Sequence, residues 1–119
     1  MLRAYISPSL GEHSIDGIFT SSDHLATIVR EELEEMGKQV PEDIQIIGYD
    51  GLQFLNQGKP IVSSIAQPVH EIAKEAVRCL NELIANGKTE GNTKIPVSFQ
   101  EGPTTKNACD RRKIMEDLR

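Results

Sequence analysis

The sequence predicts an α/β fold with a mainly parallel sheet and flanking helices, and three observations carry that expectation. Two apolar stripes at helical spacing alternate with short β-rich runs, in the order strand, helix, strand, strand, helix, strand. One of those runs, "IQIIGYD", is almost continuously apolar, as expected for a strand covered on both faces of its sheet. The strand ends then finish on polar groups, which is where open α/β sheets bind ligands.

Residues 1–15 are weakly patterned, with Pro8, Gly11 and several serines, and read as a loose lead-in. "DGIFT" is the first strand. Ser21, Ser22 and Asp23 are all good helix caps, and Leu25, Ile28, Val29, Leu33 and Met36 repeat at helical steps until Gly37 stops them. The strand containing Ile44, Ile46 and Ile47 comes next. "DGLQFLNQGKP" reads as a loop closed by Gly58 and Pro60, and "IVSSIAQ" as another strand. Pro68 takes the usual first helical position. From there Val69, Ile72, Ala73, Ala76, Leu80, Leu83 and Ile84 form one apolar stripe that stops at Asn86 and Gly87. "IPVSFQ" is a last strand, with Pro96 pointing to a sheet edge, and residues 106–119 are a charged tail. Three or four strands are few to share two long amphipathic helices, which suits a part of a larger domain.

The chain has 119 residues, enough for one domain with a core. Its 18 acidic and 13 basic residues give a net charge of -5, so it offers no basic face for a phosphate backbone. Three Phe, two Tyr and no Trp make aromatic stacking scarce. Cys79 and Cys109 stand apart without a CxxC pair or a nearby histidine, which predicts a reduced, cytoplasmic chain without a metal. No basic-then-apolar signal pattern opens the sequence. No apolar run approaches the roughly 18 residues of a membrane span, so no membrane contact is expected.

The candidate contacts are Ser22 in "SSD", Asp50 in "GYD" and Gln67 in "AQP". A sugar needs fixed acceptors and two-sided amides, because each buried hydroxyl both donates and accepts. The same residues have plain structural readings: Ser and Asp cap helices, Asp50 before Gly51 is a turn pair, and Gln67 can cap the helix after it. Adjacent residues in "SSDH" cannot aim at one another as a catalytic triad, and no GxSxG elbow is present. His13, His24 and His70 lack ligand spacing, and Glu31, Glu32, Glu34 and Glu35 read as a solvated face. A receiver-like phosphoacceptor reading of Asp50 is an alternative, but it wants neighbouring acids for Mg²⁺ and a lysine at a strand end. The chain is read as non-enzymatic, with no cofactor.

Three stretches resemble one family: "DGIFTSSDHLA", "GKQVPEDIQIIGYDG" and "PIVSSIAQPVHEIAKEAVRCLNELIANG". The family is the LacI/GalR class of bacterial sugar-responsive repressors, and "IPVSFQEGPTT" is similar to its terminal strand and Ser/Thr ending. The resemblance implies that residues 16–105 are the C-terminal part of a sugar-effector-binding and dimerisation domain with a type I periplasmic-binding-protein-like fold. It implies effector contacts at Ser22, Asp50 and Gln67, with Asp23 as a helix cap. It also implies a homodimer interface using Leu25, Thr27, Ile28, Phe54 and Leu55. Operator DNA would be bound only through a headpiece absent from this chain, and sugar binding would be coupled to it allosterically. "IIGYDG" and "SSIAQPV" further resemble sucrose- and fructoside-type repressors. The family commonly has a second aspartate where Gly51 stands, a departure that widens the freedom expected of this turn. The helix from Pro68 would pack on the other lobe and is expected to expose its stripe here. A periplasmic-type sugar-binding protein of a transporter, which shares the fold, is the other alternative.

Overall fold

A computed structural model describes residues 15–51, 55–56, 59–89 and 92–106. Its main sheet has four strands: β1 (Gly17–Phe19), β2 (Gln45–Asp50), β5 (Ser63–Ala66) and β6 (Ser98–Gln100), in the spatial order β1-β2-β5-β6. β2 pairs in parallel with β1 and β5, whereas β6 pairs antiparallel to β5 at the edge. The two helices are α1 (Asp23–Glu35) and α2 (Val69–Asn86). The predicted α/β class and largely parallel sheet therefore hold.

Most boundaries differ by a residue or two, and the last strand, expected from Ile95, begins only at Ser98. Pro68 is the cap of α2, not its first helical residue, and Gly87 in left-handed conformation ends that helix. The segment read as a loop contains a two-stranded hairpin, β3 (Leu55–Asn56) with β4 (Lys59–Pro60). Two-residue strands are too short to show an alternation in sequence.

The core lies on one face of the main sheet. Ala26, Val29 and Leu33 of α1 are buried with Ile44, Ile46 and Val62, while Ile18, Leu25, Val40 and Ile61 pack around them. Each fully buried Val, Leu or Ile among them contributes about 1.5–3 kcal/mol on leaving water. Arg30 braces the helix from its side, donating to the Ile61 carbonyl at 3.3 Å and to Glu34 at 2.7 Å.

The opposite face departs from the expectation of a strand covered on both sides. Phe19 pairs in register with Ile47, and Tyr49 with Ile65, which in turn pairs with Phe99. In-register neighbours share a face, and this one is open. Phe19 is 64% and Phe99 52% exposed. The Phe19 ring meets Tyr49 edge-on, with centroids 6.3 Å apart. α2 buries none of its residues, and Val77, Leu80 and Ile84 are more than half exposed. Its apolar stripe is thus open to solvent, as the repressor resemblance implied.

α2 is held locally by charge. Arg78 donates to Glu75 and Glu82, and Thr93 donates to Glu75 at 2.6 Å. Arg78 first, then Thr93, draws the Glu75 carboxyl down to about 2. No helix among the described residues is long and apolar enough to cross a membrane.

A buried row of hydroxyls closes the other end of the sheet. Thr104 Oγ1 accepts from the Ser63 amide at 2.8 Å and donates to the Ile46 carbonyl at 2.7 Å, so one side chain ties β2 to β5. The Thr104 carbonyl accepts from the Ile46 amide at 2.9 Å. Ser63 Oγ meets Thr105 Oγ1 at 2.7 Å and the Gly102 carbonyl at 2.9 Å. Gly102 lies directly against the Val62 backbone, which leaves no room for a Cβ.

Candidate functional site

Because β1, β2 and β5 are parallel, their C-terminal ends share one edge of the sheet, and α1 starts from that edge. Thr20 prolongs the β1–β2 pairing by donating its amide to the Ile47 carbonyl at 2.9 Å. Its hydroxyl donates to the Ser22 carbonyl at 2.9 Å, which turns the chain into the helix.

Ser22 is the N-cap of α1, and its Oγ accepts from the Leu25 amide at 3.2 Å. The hydroxyl proton remains chemically able to donate, so capping and ligand contact are compatible. Asp23 is not the cap that sequence reasoning expected. It is the first helical residue, buried at 4% exposure, and its Oδ1 accepts from Ser64 Oγ at 2.5 Å. A hydrogen bond over 41 residues of separation leaves no local pattern to read. The available signal was the polar pair Ser63 and Ser64 inside an otherwise apolar strand.

Asp50 and Gln67 are brought into direct contact. The Gln67 side-chain amide donates to Asp50 Oδ1 at 2.8 Å, and the Gln67 backbone amide donates to the Asp50 carbonyl at 3.0 Å. Both residues are half-buried. Asp50 has φ 110°, a region that L residues rarely enter and that costs about 1–3 kcal/mol unless neighbours impose it. Those neighbours are visible: Gln67 holds one side, and the Gly51 amide donates to Ser64 Oγ at 3.1 Å on the other.

Gly51 does not widen the freedom of this turn, as the sequence suggested. With φ +66° it sits against Ala66, whose Cα would lie 2.5 Å from any added Cβ. The glycine is what lets the turn close onto β5. The arrangement offers a fixed carboxylate braced by an amide, whose second N–H and carbonyl oxygen keep donor and acceptor capacity. The neighbour of Asp50 is thus an amide, which disfavours the phosphoacceptor reading, since that chemistry needs acids and a lysine there.

Of the residues expected at a dimer interface, Leu25 and Thr27 are half-buried, and Thr27 Oγ1 donates to the Asp23 carbonyl at 3.1 Å. Ile28 is 38% exposed. Phe54 lies outside the described residues, and Leu55 is described only as part of β3.

Residues 2–105 match the family described as periplasmic binding protein-like domain. The ribose operon repressor of Bacillus subtilis is 38% identical over 92 residues, covering 76% of this chain and 28% of that protein. The sucrose operon repressor of Streptococcus mutans is 32% identical over 87 residues, 73% of this chain and 27% of that protein. Among solved structures, a LacI family transcriptional regulator from Enterococcus faecium with bound ribose is 34% identical with a TM-score of 0.67, covering 85% of this chain and 38% of that one. The chain thus spans a little over a quarter of the length of these curated relatives.

Proposed function

This chain belongs to the periplasmic binding protein-like domain family, and on that premise we propose that it is the C-terminal effector-binding and dimerisation part of a LacI/GalR-type, sugar-responsive transcriptional repressor. The observation that carries this reading is the braced Asp50–Gln67 pair at the carboxyl edge of the parallel sheet. A carboxylate held by an amide can accept from one sugar hydroxyl while the amide serves the next. Ser22 stands on the same edge and supplies a further hydroxyl. Similarity to ribose and sucrose operon repressors, and to a regulator with ribose bound, makes a small sugar the expected effector class.

The acidic chain leaves operator contact to a DNA-binding headpiece of the whole protein, and the repressor works in the cytoplasm as a homodimer. Leu25, Thr27, Ile28, Phe54 and Leu55 contribute to the pairing surface. Sugar acts by favouring one arrangement of the two lobes, and it shifts operator affinity only by its preference between arrangements. The shared fold also suits a transporter's sugar-binding protein, but the curated relatives reported above are operon repressors.

Isothermal titration of the complete protein with D-ribose and with sucrose, before and after Asp50→Ala, tests the site. One sugar should bind, and binding should weaken by at least about tenfold once the charged acceptor is gone. Equal binding with and without Asp50 removes the residue from the site, and no binding of either sugar removes the small-sugar reading.

A further inference from the structure

Asp23 is a buried acid that the binding reading above does not use. Its surroundings are built for it. Gly48 lies in β2 beneath the start of α1, and a Cβ there would collide with Asp23 Oδ1 and press on the Ala26 side chain. The missing side chain opens a passage across β2. Ser64, the in-register partner of Gly48 on β5, meets the carboxylate through that passage. Ser64 is 2% exposed, and its oxygen has a second task, accepting from the Gly51 amide.

We infer that Asp23, acting through Ser64, is a positioning residue that holds the Asp50–Gly51 turn in the geometry needed to present the Asp50 carboxylate to a ligand. The inference rests on the proposed sugar site and extends it to two residues that touch no sugar. A serine hydroxyl can rotate freely, and its lone pairs face wherever its proton does not. Asp23 takes that proton on the α1 side, so the oxygen's lone pairs are turned toward the Gly51 amide. A carboxylate acceptor strengthens the hydroxyl bond, and polarising the hydroxyl makes its oxygen the better acceptor for Gly51. Gln67 grips Asp50 from the other side of the same strand end. Asp50 is therefore held at φ 110° between two anchors three residues apart on the chain, Ser64 and Gln67. Without the Ser64 anchor, the turn relaxes toward an ordinary extended strand end and the carboxylate leaves its place.

A merely structural role for Asp23 and Ser64 would lower global stability and leave the turn unchanged in molecules that remain folded. Amide hydrogen exchange in the full chain separates the two. Ser64→Ala should accelerate exchange at Gly51 by at least about tenfold while the Leu33 and Ile46 amides keep their protection, the size expected for losing one hydrogen bond. The D-ribose or sucrose dissociation constant of the complete protein should rise by a similar factor. Asp23→Ala should reproduce both effects, and Asp23→Asn, which keeps an acceptor oxygen in place, should largely restore them. If Ser64→Ala does not fold, Ser64→Cys, with its poor sulfur acceptor, is read in the same way. Unchanged Gly51 exchange and unchanged affinity in the folded variant overturn the inference. Should neither sugar bind the wild type, the proposed site fails, and exchange at Gly51 still decides whether the relay holds the turn.

Discussion

Gly51 shows how a residue without a side chain can be tightly constrained at a turn. Its φ of +66° lies where L residues pay about 1–2 kcal/mol, and Ala66 occupies the space a Cβ would need. Gly51→Ala should therefore destabilise the chain by about 2–4 kcal/mol in urea unfolding. Gly51→Asp, which installs the family's usual second aspartate, should be at least as costly; equal stability of either variant would mean that the turn can reopen. The candidate contacts Asp50 and Gln67 were legible as residue types at strand ends, and the structure adds that they bond to each other. Asp23 was seen and given the wrong task. Any acid at a helix start reads as a cap, and the distinction lay in Ser22 filling that role first. Gly48, whose absent side chain gives Asp23 its route to Ser64, carried no signal at all, because a glycine in a strand looks the same whatever it makes room for.

At the scale of elements, legibility followed length. The two helices were readable from periodicity and their glycine stops, since thirteen and eighteen residues give several turns of pattern. β6 was correctly suspected at the edge from Pro96, while the β3–β4 hairpin was missed. The seam made by Gly102 to Thr105 was recognisable only as a Ser/Thr ending, because its bonds reach Ser63 and Ile46 from 41 and 58 residues away. Thr104 has zero exposure and serves a β5 amide and a β2 carbonyl with one hydroxyl. Thr104→Val keeps the shape and strips both bonds, leaving buried groups without partners at about 1–3 kcal/mol each. We expect a loss of about 2–4 kcal/mol in denaturant unfolding, against about 1 kcal/mol for removing the Ser22 cap with alanine. A loss for Thr104→Val no larger than for Ser22→Ala would show that water or a rearranged backbone replaces the seam.

The whole molecule is organised around an imbalance: one face of the sheet is closed by α1, while the other face and the stripe of α2 remain open. Sequence alone registered this as too few strands for two long helices. The chain spans only part of its relatives' length, which agrees with that reading, for an apolar surface that the rest of a longer protein covers is exposed when described by itself. The consequence separates stability from association. Leu80 and Ile84 are 56% and 76% exposed and lie outside the core cluster, so replacing both with lysine removes no buried contact from the sheet. In the 119-residue chain, the double variant should keep its unfolding midpoint to within about 0.5 kcal/mol of stability, bind less of a dye specific for apolar surface, and elute closer to the 13.2 kDa monomer during size exclusion. The same two lysines in the complete protein should behave oppositely. On the proposed function the stripe is covered there by the rest of the protein, and two charges driven into an apolar contact should lower stability by several kcal/mol and loosen the proposed coupling between sugar and operator. A variant equally harmless in both contexts would mean that the stripe of α2 stays uncovered in the complete protein too.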